Sequence, residues 1–223
     1  HNMADSVAFY AILPHLATGL YDGSVILYNL TTSPPTIQYE LHDHNSSVVC
    51  VVFHPTQPLL ATCSNDNTAI IYNISTSPPT KQHHFKHHIG VINSIAFHPS
   101  FPFCITGSDD TTTIMYDLTT VPATIQHHFK DHTNWVLSVA FHPCLLFLAT
   151  GSFDKYVILY DISRSPPIIR HYLKDHIHMV FCVVFHSTLP FLATGSGDYR
   201  TLLYDISALS ALPSKSITLT LPS

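Results

Sequence analysis

The sequence predicts an all-β, five-bladed β-propeller of four-stranded antiparallel blades, and three observations carry the prediction. Marker residues recur every 44 positions along nearly the whole chain. Each 44-residue copy reads as four short strands parted by turn residues. Prolines interrupt every copy too often for a helix of ten or more residues.

The period comes first, because a missed repeat misassigns a whole fold. Phe9, Phe53, Phe97, Phe141 and Phe185 stand 44 residues apart, as do Asp22, Asp66, Asp110, Asp154 and Asp198. Tyr28, Tyr72, Tyr116, Tyr160 and Tyr204 keep the same spacing, and so do His44, His88, His132 and His176. No insertion breaks the register from Phe9 to Tyr204. One domain over 1–223 follows, with repeats at about 1–43, 44–87, 88–131, 132–175 and 176–223.

Within the copy 44–87, Val48 to Phe53 is a β-branched, continuously apolar run, the mark of a strand covered on both faces. His54-Pro55-Thr56-Gln57-Pro58 ends it, since proline donates nothing to a ladder. Leu59 to Ser64 makes a second strand. Asn65-Asp66-Asn67 is turn chemistry, because these side chains bond their own backbone and tolerate positive φ. Thr68 to Asn73 is a third strand, Ser77-Pro78-Pro79 a stiff connection, and Thr80 to Lys86 a more polar outer strand. First strands are therefore expected near 5–9, 48–53, 92–97, 136–141 and 180–185. Lys215 to Leu221 alternates β-formers and is expected to complete blade 5, leaving closure to packing between blades 1 and 5. The alternative is an incomplete part of a larger, seven-bladed propeller.

Composition narrows the function classes. Of 223 residues, 46% are hydrophobic and 10% charged, which suits a packed domain. The nine Lys and Arg form no basic run, and the formal charge is −5, so neither nucleic acid nor an acidic membrane is an expected partner. Apolar runs such as Cys144 to Ala149 are far short of the roughly twenty residues of a membrane span. His1 to Asp5 lacks the basic, apolar pattern of a signal peptide. Five cysteines without a C-x-x-C pair, two of them at the same place in different repeats (Cys50 and Cys182), fit a reducing compartment. An intracellular, cytoplasmic protein is expected.

The repeat resembles the WD-repeat family. Gly107-Ser108-Asp109-Asp110-Thr111-Thr112-Thr113-Ile114-Met115-Tyr116-Asp117 stands where that family has a small-residue run, an Asp turn and a closing Trp-Asp, and His88 stands at its Gly-His histidine. Two departures recur. Tyrosine replaces tryptophan in all five copies, and Asp or His precedes the repeat histidine where the family has glycine. The resemblance implies a hydrogen-bonded tetrad in each of four blades: His44, Ser64, Asp66 and Tyr72; His88, Ser108, Asp110 and Tyr116; His132, Ser152, Asp154 and Tyr160; His176, Ser196, Asp198 and Tyr204. Leu20 replaces the serine of the first copy and no clear histidine precedes its strand, so that blade is expected to lack the relay.

Eighteen histidines invite a metal site, and His83 to His88 holds two H-x-x-x-H spacings. On a strand that spacing does not gather both rings on one ion as a helix would, and repeat-equivalent histidines lie in different blades. Acid–base catalysis needs one convergent constellation, whereas these Asp and His recur in every copy. No catalytic residue, metal or cofactor is expected. Function is sought instead in the loops leading into the first strands, where the copies differ most and where the resemblance implies that partners dock. Asn134, Trp135, His178, Met179 and Phe181 are the candidate partner-binding residues, because Trp, Met and aromatics concentrate at interface centres. The opposite face, with its His-Pro pairs, is expected to be repetitive and polar. The expectation is a non-enzymatic protein-protein interaction scaffold, with a small-molecule or glycan-binding propeller as the alternative. The unrepeated Trp135 disfavours the latter, since pockets in every blade should repeat their aromatics.

Overall fold

The computed structural model describes residues 3–207 and 217–219. Blade 1 holds β1 (Ala4–Phe9), β2 (His15–Leu20), β3 (Val25–Asn29) and β4 (Thr36–Leu41), and blade 2 holds β5 (Val48–Phe53), β6 (Leu59–Ser64), β7 (Ala69–Asn73) and β8 (Thr80–Phe85). Blade 3 holds β9 (Ile92–Phe97), β10 (Phe103–Ser108), β11 (Thr113–Asp117) and β12 (Thr124–Phe129). Blade 4 holds β13 (Val136–Phe141), β14 (Phe147–Ser152), β15 (Val157–Asp161) and β16 (Ile168–Leu173). Blade 5 holds β17 (Val180–Phe185), β18 (Phe191–Ser196), β19 (Thr201–Asp205) and β20 (Ile217–Leu219). Each blade is one four-stranded antiparallel sheet with its strands in chain order.

The local chemistry accounts for these boundaries. Asn67 turns β6 into β7 with φ at 67°, and Thr111, Lys155 and Tyr199 repeat the left-handed conformation at 71°, 78° and 64°. The preceding Asp stabilises that turn, as Asp66 Oδ1 accepts the N–H and hydroxyl of Thr68 at 2.9 and 2.6 Å. The expected outer strand of blade 5 is present as β20, paired with β19. The rest of the expected span Lys215–Leu221 lies outside the described residues.

The core lies between blades, where each buries the face of its neighbour. Ala17, Val25 and Leu27 of blade 1 pack against Val48, Val51, Phe53, Leu60, Ile70 and Tyr72 of blade 2. Three further interfaces repeat this pattern between successive blades. The His-Pro ends differ from the polar face expected of them. His54, His98 and His142 are buried, and their rings meet Phe97, Phe141 and Phe185 of the next blade at 5.0, 5.2 and 5.1 Å. The backbone meets one nitrogen of each ring, as where His54 Nδ1 accepts the N–H groups of Thr56 and Gln57 at 3.1 and 3.0 Å, while His98 Nε2 is buried without a hydrogen bond among the described residues.

Blades 1 and 5 do not close on each other. Among the described residues, no strand of blade 5 packs on blade 1 as β1 packs on β5 or β13 on β17. Accessibility agrees. Phe53, Phe97, Phe141 and Phe185 are 6–8% exposed, whereas Phe9 at the same repeat position is 73% exposed. The five blades form an open arc.

Burial at an inter-blade interface sets the cost of truncation. Phe141→Ala should destabilise by about 3–5 kcal/mol, as large-to-small core substitutions do. Phe9→Ala should stay within about 0.5 kcal/mol, as exposed positions do. Urea unfolding of both variants checks this, and equal losses would mean that Phe9 is covered in solution.

Candidate functional site

Antiparallel order brings the loop before each first strand and the turn after each second strand to the same end of its blade. In blades 2 to 5 a polar cluster ties the two together. His44 Nδ1 lies 3.0 Å from Asp66 Oδ2, and the same pair measures 2.8, 2.8 and 2.9 Å at His88–Asp110, His132–Asp154 and His176–Asp198. A carboxylate only accepts, so Nδ1 carries the proton. In a neutral ring, Nε2 then accepts from a hydroxyl. That hydroxyl belongs to Thr62, Thr106, Thr150 and Thr194, at 2.7–2.8 Å.

This wiring differs from the tetrads implied by resemblance. Ser64, Ser108, Ser152 and Ser196 do not contact the histidines. Each donates to a carbonyl of the loop before the first strand: Ser46, Gly90, Asn134 and His178, at 2.9–3.1 Å. Each also accepts the N–H of its turn aspartate. The threonine two residues earlier projects from the same sheet face as the serine but deeper, which brings it to the ring. It recurs at the 44-residue period from Thr18 onward, so the signal was present in the sequence.

The tyrosines form a second branch. Tyr72, Tyr160 and Tyr204 donate to Asp43, Asp131 and Asp175 at 3.0–3.1 Å, and Tyr116 lies 3.4 Å from His87 Nδ1. These acceptors are the residues immediately before the repeat histidines. The two departures from the family pattern therefore complement each other: the phenol reaches a side chain where the pattern has glycine. Burial pushes these phenols far above their usual pKa, so they remain donors. In blade 1 the Thr18 hydroxyl is buried with no partner among the described residues.

Charge follows from this geometry. Burial raises the Asp66, Asp110, Asp154 and Asp198 carboxyls, but bonds from hydroxyl, imidazole and backbone donors outweigh it and hold them below the ordinary carboxylate range. Burial lowers His44 and His88 more than their aspartates raise them, so both rings favour the neutral form.

The candidate partner-binding residues sit at or beside this end, in blades 4 and 5. Trp135 is 46% exposed, and its indole meets Phe153 of the adjacent turn edge-on at 5.4 Å. Asn134 Oδ1 accepts the Trp135 N–H at 2.8 Å, and the Trp135 carbonyl accepts the Phe153 N–H at 2.9 Å. Met179 is half-buried, and its carbonyl accepts from Gly197. His178 is exposed and packs on Gly197, where an added Cβ would lie 2.5 Å from its ring. Phe181 stands apart, 55% exposed on β17, at the repeat position from which Asn93 donates to Val136 of the next blade. Two exposed neighbours were not singled out from sequence: Ile177 at 73% and Tyr199, fully exposed at the left-handed turn position. Both occupy repeat positions whose residue changes from copy to copy, as Trp135 does.

No group of three or more His, Cys, Asp or Glu that could hold a metal ion occurs among the described residues. No helix there is long and apolar enough to cross a membrane.

Four-stranded blades arranged as an arc, with a polar cluster at one end of each, define a repeat protein of the propeller class. The sequence matches the WD domain, G-beta repeat family over residues 35–73, 79–117, 123–161 and 168–205, and the chain belongs to that family. Each matched unit starts near an outer strand and ends with the next blade's third strand, one strand out of step with the blades. No curated protein matches the chain by sequence. Among solved structures, a chain in "Crystal Structure of Mitotic Checkpoint Complex" is similar, with a TM-score of 0.84 and 16% identity. The match covers 97% of this chain and 65% of that one, so five blades span about two thirds of the solved chain.

Two predictions follow from the clusters. Asp110→Ala and Asp154→Ala should each lower stability by about 3 kcal/mol, because they strand a buried histidine and two N–H groups. Chemical denaturation checks both losses, and losses under about 1 kcal/mol at the two sites would show that the aspartate acts only through its turn. The second concerns pH. His44 and His88 bind protons less readily folded than unfolded, so stability present at pH 7.5 is lost as pH falls below about 6.5. The aspartates are shifted down, so their contribution persists until pH falls below about 4. The melting temperature should therefore drop between pH 7.5 and 5, and a flat profile would contradict the neutral assignment.

Proposed function

We propose that this chain is a non-enzymatic scaffold that captures a protein or peptide on the loop end of blades 4 and 5. The observation that carries the reading is the group of apolar side chains there, Trp135, Ile177 and Tyr199, exposed on a backbone that is itself fixed. Ser152 and Ser196 hold the loops through the Asn134 and His178 carbonyls, and the His–Asp pairs hold the loops' approach. Large side chains on an ordered backbone lose little entropy on desolvation, which is why such residues dominate binding energy. Tyr199 adds weight, because a bulky residue in a left-handed turn is unfavourable for the fold alone. Asn134, His178 and Met179 border the group and would form its rim.

A non-enzymatic role fits the polar clusters. They repeat in four blades and bind their own loops, whereas catalysis requires one convergent set of groups. Five free cysteines support placing this scaffold in a reducing, intracellular compartment.

Affinity capture from the source cells tests the reading. A Trp135→Ala, Met179→Ala double variant should lose partner capture by at least about tenfold, as central anchors do. Its melting temperature should move by less than about 2 °C, given the partial exposure of Trp135. Undiminished capture would overturn the assignment of this end.

A further inference from the structure

The four inter-blade interfaces share one chemistry. From the following blade, a first strand presents two β-branched residues and a phenylalanine: Val48, Val51 and Phe53, then Ile92, Ile95 and Phe97, and so on to Val180, Val183 and Phe185. The preceding blade offers small residues beneath them. A Cβ on Gly19, Gly107 or Gly151 would lie 2.7, 2.7 or 2.9 Å from Val48, Val136 or Val180 of the next blade. The preceding blade also supplies an acceptor. Ser6, Ser94 and Ser138 accept the N–H groups of Val51, Val139 and Val183 at 3.0, 3.2 and 3.1 Å, and Cys50 holds the same repeat position toward Ile95. An aromatic pair closes each interface, from Tyr10–Phe53 at 4.9 Å to His142–Phe185 at 5.1 Å.

The two ends of the arc carry the two halves of a fifth such interface. Blade 1 presents the following half: Val7 and Phe9 are 61% and 73% exposed, and Val7 holds the position whose N–H is donated to a preceding blade. Blade 5 presents the preceding half. Gly195 has only Cys182 within 4.0 Å of an added Cβ, Cys182 holds the acceptor position, Val184 is 52% exposed, and His186 has no ring stacked on it among the described residues. Each half alone leaves apolar surface in water.

We infer that the occupant of each end is a second copy of this chain, joined head to tail, blade 1 of one copy on blade 5 of another. The argument is continuity with the four interfaces already present. A copy brings Val7 to the bare backbone of Gly195, the Val7 N–H to the Cys182 sulfur, and Phe9 to the His186 ring. Ala4 stands where the other blades have Val or Ile, so this contact buries less than the internal four and is weaker than they are. It is heterologous, with different surfaces on the two partners, so assembly does not stop at two. The loop end that carries Trp135 stays outside it.

Sedimentation velocity from 1 to 200 µM tests this with two variants at exposed sites, Phe9→Asp and Val184→Asp. Wild type should shift from 24.8 kDa to dimers and longer species as concentration rises. Each variant alone lacks one half and should remain monomeric, with a melting temperature close to wild type. Mixed in equal amounts, the variants should form a dimer and nothing larger, because one keeps its blade 5 face and the other its blade 1 face. Monomeric wild type throughout would overturn the inference and assign the faces to further blades. Association by either variant alone, or larger species in the mixture, would overturn the head-to-tail geometry. Capture through Trp135 is unaffected by either outcome.

Discussion

Everything in this structure depends on apolar packing between adjacent blades. A four-stranded sheet of about 44 residues has two apolar faces and no core of its own. It becomes stable only when sheets stack and each covers its neighbour. The buried residues divide accordingly into four clusters, each shared by two blades. Position in the arc therefore decides whether a residue is core or surface. Phe53 and Phe9 have the same place in the repeat and the same local strand, yet one is buried and the other exposed.

The largest polar clusters gather at the blade ends, where strand ladders stop and backbone groups need other partners. Each His–Asp–Thr cluster binds a loop to a turn from the adjacent strand pair, and each serine adds a second tie. The tyrosine branch shows how a changed residue stays compatible with burial. A phenol donates farther from the ring than an indole N–H, and the Asp or His before the repeat histidine supplies an acceptor at that reach. Tyr72 and Asp43 have to be understood together.

The same ties prepare a surface for recognition. A loop fixed at its carbonyls, its aspartate and its histidine presents side chains without reordering on binding. Residues free of these duties, at positions 135, 177 and 199, vary between copies while the tying residues do not. Blades 4 and 5 place aromatic and β-branched side chains there, so the binding reading rests on substitutions the scaffold does not require.

The sequence by itself determined the period, the blade number, the strand boundaries to within a residue or two, and the turns. All of these arise from contacts within one copy, and the period displays them several times over. It also identified His44, Asp66 and their repeats as a structural pair and Trp135 as unusual. Only the tertiary structure decided which hydroxyl meets the imidazole, because Thr62 and Ser64 share a strand face and differ in depth. It alone showed the His-Pro ends to be buried, since the covering Phe97 belongs to the next blade. It alone separated Phe181 from the loop patch and left the arc open. Closure depends on the angle between blades, a sum of many small packing contacts that no single residue type encodes.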